Sequence, residues 1–266
     1  MNALKNLTLL ILALAIAPLA AQKKSRDFKW PGKYEVAVCL TYDDGLDSHL
    51  DFAAPALDAA NLKGSFYCTG NSQSLYNRME EWRKLVKNGH ELGNHSLFHP
   101  CDAERLDWVK PEYDLNKYTM DQIKAELSTA NSLLKAVDGN TERTYAFNCS
   151  DYKVGGESFV DAIRPLFFAA RRVGPIPDNM QDVDAHFMPS WGVNEPTGQE
   201  MIAYVEEARK KGTIAIFMFH NVGGGYLNVS AEAHKELLEY LDKNRDKIWT
   251  DTFLNVMKHV KNEGKQ

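Results

Sequence analysis

An α/β fold built on a parallel sheet or barrel is predicted for this chain, on three observations. Short apolar runs alternate with amphipathic helical segments along most of the sequence, the pattern that sets parallel strands inside a layer of crossover helices. No repeat, low-complexity tract or Pro/Ser-rich linker interrupts the 266 residues, so a single domain is expected, and α/β barrels commonly reach this length as one unit. Acidic and imidazole side chains also recur at the ends of the strand-like runs, where such folds keep their sites.

The elements follow in order. Lys5 precedes LTLLILALAIAPLAAQ, an apolar stretch closed by small side chains. Residues 1–21 therefore read as a secretory signal cleaved near Ala21–Gln22. The stretch ends too abruptly for a membrane span of about 20 residues. The mature region, residues 22–266, is expected to be exported, periplasmic or secreted, with no stable membrane anchor after cleavage. After a polar segment (22–33), YEVAVCLTY is a buried strand running into Asp43 and Asp44. HLDFAAPALDAANL has helical spacing and Lys63–Gly70 is again strand-like. SLYNRMEEWRKLVKNG reads as one amphipathic helix stopped by Gly89, with Leu75, Met79, Trp82 and Leu85 on one face. HELGNHS is the next strand and its exit; residues 101–118 are an aromatic, proline-containing excursion. A long helix follows from Thr119, its N-cap, to Gly139, its stop. TYAFNC, LFFAAR and HFMPSW are strand candidates, TGQEMIAYVEEARKKG is a helix and TIAIFMFHNV a strand. SAEAHKELLEYLDKN and TDTFLNVMKHVKN close the chain as helices, on which His234 and His259 are expected to be solvated.

The composition, 44% hydrophobic and 25% charged, is that of an ordinary globular protein. A net charge of −5 offers no basic field for nucleic acid or anionic lipid, so no nucleic-acid partner is expected. Export would permit disulfides. Cys39 lies in an apolar run and reads as a buried thiol, whereas Cys68, Cys101 and Cys149 lie at element ends or in loops. Cys101 and Cys149 fall near the polar residues discussed next, which favours a bridge between them, although spacing leaves the connectivity open.

Three separate segments bring chemistry to strand ends: Asp43 and Asp44 after the first strand, Asn94, His95 and His99 in NHSLFHP, and His220 in IFMFHNVGGGY. His95 and His99 are four residues apart, so a helical turn or a tight loop would aim both imidazoles at one ion. With one carboxylate they form a two-His, one-Asp set that leaves positions open for water and substrate. Such a cation also explains two adjacent aspartates: one binds it, and the other stays ionised beside it as a proton acceptor.

These residues resemble the polysaccharide deacetylases, carbohydrate esterase family 4 with its NodB-homology domain. TYDDG is similar to the family's first motif, GHELGNHSLFHP to its second and FMFHNV to its last, over about residues 34–222. The resemblance implies a distorted (β/α) barrel of about seven strands that removes acetyl groups from sugars with a divalent metal, usually Zn2+. It implies Asp44, His95 and His99 as metal ligands, Asp43 as base and His220 as acid. An acetylated oligo- or polysaccharide is the expected partner. The oxyanion would take a backbone N–H from the loop after Phe147, and Tyr67, Phe147 and Trp191 are expected against the substrate. Trp108, Tyr113 and Tyr226 are further aromatic candidates for a sugar face.

The third motif departs from the family. Ala146 in TYAFNCSDY falls where an arginine that pairs with the base is expected. Asp151, Asn148 or Arg143 are the nearby substitutes, and SWGVNEPTG is the nearest match to the fourth motif. Two other readings therefore stand beside the deacetylase: an inactive metal- or carbohydrate-binding protein of the same fold, and a hydrolase of a non-sugar amide or imide.

Overall fold

Strand β1 (Val36–Asp43) organises a closed barrel in this computed structural model, which describes residues 28–263. The leader read over residues 1–21 lies outside the described residues. Beside β1 stands β2 (Ser65–Cys68), then β3 (Glu91–Asn94) and β4 (Thr144–Ala146). A two-residue hairpin, β5 (Lys153–Val154) and β6 (Glu157–Ser158), stands apart. The ring continues through β7 (Ala169–Val173), β8 (Met188–Gly192) and β9 (Ile214–Phe219), which pairs back onto β1. Seven parallel strands thus form the expected NodB-like (β/α) barrel. The eighth strand of the sheet, β10 (Ile248–Thr250), was not legible in the sequence. It pairs with Val36–Val38 at the foot of β1, below the stretch Thr41–Asp43 that pairs with β2.

Alternation along β1 divides the core into two layers. Val36, Val38, Leu40 and Tyr42 face the helices with Phe66, Trp82, Phe217 and Phe219. Ala37 and Cys39 face the barrel interior with Tyr67, Ala146, Ala169, Met188 and Ile216. The interior is closed from below by α8 (Phe253–Glu263), whose first turn donates from Phe253 N to Ser65 Oγ (2.8 Å) and from Leu254 N to Glu91 Oε2 (2.9 Å). These acceptors open β2 and β3, so that end of the barrel is sealed and the carboxyl ends of the strands remain for the site.

The helical layer differs from the sequence reading in places. A π-helical turn (His49–Ala53) precedes α1 (Ala54–Ala59). The helix expected over 74–89 is two, α2 (Gln73–Asn77) and α3 (Met79–Lys87), broken at Arg78 (φ −125°, ψ 30°). Arg78 turns its guanidinium to Asp47, Asp51 and Glu81, tying the break to the turn after β1. The long helix α4 (Met120–Asp138) has the expected ends: a Thr119–Gln122 capping box and a left-handed Gly139. A single turn, α5 (Val160–Ile163), precedes β7, and α6 (Gly198–Lys211) and α7 (Ala231–Lys243) cover β9 and β1. His234 on α7 is buried rather than solvated, with Nε2 2.8 Å from the Tyr42 hydroxyl. His259 on α8 is half-buried against Trp30 and Trp249 and reaches the Lys29 carbonyl at 2.7 Å.

Candidate metal-binding active site

At the carboxyl end of β1 the chain leaves the strand through Asp44 (φ 78°) and Gly45 (φ 64°). That left-handed turn, costly for a residue with a Cβ, swings the Asp44 carboxylate across the barrel mouth while Asp43 points into it. The exit of β3 is equally constrained. Ser96 (φ 63°) and His99 (φ 57°) are left-handed, so a tight loop rather than a helical turn brings the two histidines together. Asn94 Oδ1 accepts from Ser96 N (2.7 Å), Ser96 Oγ from His99 N (2.9 Å), and Glu126 Oε1 from both Leu97 N and Phe98 N. Glu126 belongs to α4, so the loop is pinned to a long helix. The Cys101–Cys149 disulfide joins its far end to the loop after β4, as favoured from the sequence; Cys101 Sγ lies 3.4 Å from His99 Nδ1.

Asp44 Oδ1 stands 3.4 Å from His95 Nε2 and 3.5 Å from His99 Nε2. His95 Nδ1 is engaged by the Ala146 carbonyl at 2.8 Å, which leaves Nε2 as the free lone pair facing Asp44. The three groups pass the test of a cation site, because Asp44 Oδ1 is buried with no hydrogen-bond partner among the described residues. Burial by itself raises the Asp44 carboxyl, but the adjoining His95 imidazole, with the charges of His99 and His220, outweighs it and holds the group well below the usual carboxylate range. Burial depresses His95, yet the charge of Asp43 and the contact with Asp44 push it up overall. His99 is lowered to about 4, chiefly by burial. This is a pocket whose charges favour a cation and whose donors are two imidazoles and a carboxylate.

Asp43 is almost fully buried and is bound by Arg171, whose guanidinium lies 4.6 Å from the Tyr67 ring centroid. Arg171 is the functional residue that sequence reasoning missed. Ala146 and Arg171 are register partners on β4 and β7: the arginine expected at position 146 stands one strand over, at the same height. Its signal was a charge ending the apolar run LFFAAR, on the same strand face as Ala169. None of the three nearby substitutes takes this place. Arg143 pairs with Asp138, Asp151 with Arg105, and Asn148 donates to the His95 carbonyl at 3.0 Å.

His220 ends β9 opposite this pair, with Nε2 4.0 Å from Asp44 Oδ2 and Nδ1 buried without a partner among the described residues. Burial lowers His220; the Asp43 and Asp44 charges oppose this incompletely. Behind it, His49 Nε2 donates to the His220 carbonyl (2.8 Å), so His49 supports the strand end instead of facing substrate. A cavity of about 670 Å³ opens over these groups, walled by Leu106, Trp108, Phe147, Val173, Tyr226 and Leu227. Phe147 is where it was expected. Tyr67 is not: it is fully buried under Arg171, its hydroxyl 2.8 Å from Thr144 Oγ1. Trp191 is also elsewhere, packed on Tyr204 and Phe217 beside a separate depression, because β8 points it outward towards α6.

Residues 33–154 match the polysaccharide deacetylase family model. Over that stretch, a little under half of its length, the chain is similar to the polysaccharide deacetylases. The matched region carries Asp43, Asp44, His95 and His99, while Arg171 and His220 lie beyond it. The uncharacterized protein YlxY of Bacillus subtilis (strain 168) is 28% identical over 116 residues, 44% of this chain and 31% of that protein. A gellan lyase from a Bacillus species is 21% identical over 256 residues, 86% of this chain and 10% of the lyase. The chain therefore spans less than a third of the length of these relatives. Among solved structures, a putative polysaccharide deacetylase from Mycobacterium smegmatis superposes with a TM-score of 0.63 at 15% identity, covering 89% of this chain and 94% of its own. A family 4 acetyl xylan esterase from Clostridium thermocellum, in complex with a cobalt ion, gives 0.52 at 21% identity, covering 85% and 92%. At these identities the two establish only that this chain shares their fold.

Proposed function

We propose that this protein is an exported, metal-dependent deacetylase that hydrolyses N- or O-linked acetyl groups of a carbohydrate. The observation that carries the reading is the arrangement around one cavity: an Arg171-bound Asp43 and His220 flank the cluster of Asp44, His95 and His99. A divalent cation held by Asp44, His95 and His99, best suited to Zn2+ by its nitrogen and oxygen donors, would polarise the acetyl carbonyl and acidify water. Asp43 takes the proton of the attacking water. Arg171 neutralises the buried carboxylate and fixes its direction, so that one oxygen stays oriented for the transfer. His220 gives a proton to the departing sugar amine or hydroxyl, and its burial keeps bulk water from competing for it. Trp108, 59% exposed at the rim and 6.1 Å from the His99 ring, offers a face on which a sugar ring can stack.

An inactive binding protein would need neither an acid nor a base. The Arg171–Asp43 pair speaks against that reading, because it retains at a new position the charge that the altered third motif lacks. The deciding experiment measures acetate released by the Zn2+-loaded mature protein from acetylated xylan, chito-oligosaccharides and peptidoglycan fragments. Release from one of them is expected, and Asp43→Asn should lower it at least about a hundredfold while the bound metal stays at the parent level. No acetate from any substrate, with metal tightly held, would instead favour a binding protein or a non-sugar amide.

A further inference from the structure

Asp44 uses its two oxygens differently. Oδ1 faces His95 and His99 and is the buried atom without a hydrogen-bond partner. Oδ2 accepts a hydrogen bond from the Tyr226 hydroxyl and otherwise faces His220, 4.0 Å away. Tyr226 reaches this point from a loop that is bonded to itself. Val229 N donates to the Asn221 carbonyl (3.0 Å) and Gly223 N to the Val229 carbonyl (2.9 Å). Asn221 Nδ2 donates to the Tyr226 carbonyl (3.0 Å), and Gly224 N to Asn228 Oδ1 (2.7 Å). Gly223, Gly224 and Gly225 all have positive φ, and a Cβ on Gly225 would come within 2.7 Å of the Asn221 side chain. The triple glycine is thus required by the turn that carries Tyr226 back over the cavity, next to the His220 ring (centroids 5.9 Å).

We infer that Tyr226 is a positioning residue for Asp44: its hydroxyl holds Oδ2, so that Oδ1 is presented to the ion between His95 and His99. The inference rests on the reading of Asp44, His95 and His99 as metal ligands. A phenol remains a donor throughout the neutral range, and a ligating carboxylate is directed by whatever binds its second oxygen. With the phenol removed, His220 Nε2 remains 4.0 Å from Oδ2. Asp44 would turn towards it, drawing Oδ1 from the ion and tying up the imidazole meant for the leaving group.

The test is the Zn2+ affinity of the full mature chain, by competition with a chromophoric chelator, for the parent, Tyr226→Phe and Asp44→Ala. The Co2+ absorption spectrum gives a second readout, and the thermal midpoint of the metal-free proteins controls for folding. Tyr226 is 53% exposed, so the metal-free midpoint of Tyr226→Phe should match the parent. Its Zn2+ affinity should fall by roughly ten- to a hundredfold, with an altered Co2+ spectrum. An affinity within twofold of the parent, alongside a large loss in Asp44→Ala, would overturn the role of Tyr226 and leave the ligand set standing. Parent-like affinity in Asp44→Ala would remove the ligand set and the inference with it.

Discussion

At the scale of single residues, the informative position is one where the expected side chain is missing. Ala146 was legible as an anomaly, but its solution lies on a neighbouring strand, and strand pairing between β4 and β7 cannot be read from residue order across the intervening hairpin and α5. The register Ala146↔Arg171 makes the exchange testable. Arg171→Ala leaves Asp43 as an uncompensated buried charge; breaking such a pair costs about 3–5 kcal/mol, and turnover should fall by at least about a hundredfold. Adding Ala146→Arg to that variant returns a guanidinium at the same height, and part of both losses should be recovered. Denaturant midpoints and acetate release check the two together. Unchanged activity in Arg171→Ala would mean that Asp43 needs no cationic partner. The clustering of Asp44, His95 and His99 was readable because they lie within a few residues of strand ends. Tyr67 and Trp191 were misplaced because an aromatic's facing depends on strand parity, which composition does not reveal.

At the scale of elements, amphipathic helices were read well where one face alone decides, as for α4 and α6. They were misread where a polar residue is recruited elsewhere. Arg78 ends α2 by reaching three carboxylates, and His234 sits on the buried side of α7 because Tyr42 of β1 offers it a partner. That burial gives α7 a pH dependence. The His234 imidazole is lowered to about 4 by burial, against an ordinary value near 6.5, so the folded protein keeps it neutral while the unfolded chain protonates it. Its stabilising contribution is complete above about pH 6.5 and is lost as the pH falls towards 4, amounting to roughly 3 kcal/mol. Denaturant midpoints between pH 7.5 and 4.5 should decline for the parent and decline less steeply for His234→Gln. Equal slopes would show that the histidine is not held neutral. His49, also lowered to about 4 by burial, accounts for part of the dependence that remains.

At the scale of the whole molecule, a parallel α/β fold and its order were legible because strand and helix patterns alternate, the barrel followed from the family resemblance, and the strand at the foot of β1 was not legible. Three residues, Ile248–Thr250, are too short to announce a strand. They nevertheless cover the foot of β1 and deliver α8 to the barrel floor, where Ser65 and Glu91 accept its first N–H groups. A chain ending at Lys247 should therefore lack a cooperative unfolding transition in circular dichroism, since Val36–Val38 would keep an open edge and the interior an open floor. Retention of a sharp transition would make β10 and α8 accessories to the fold.

Because Val36 finds its lower neighbour only at Ile248, the order of biosynthesis runs against early closure. A ribosome must release Ile248 before β1 is fully paired, and pairing so distant in sequence is slow in any case. A barrel built this way stays open at the foot of β1 until Ile248–Thr250 appear, a delay that would suit the export proposed above.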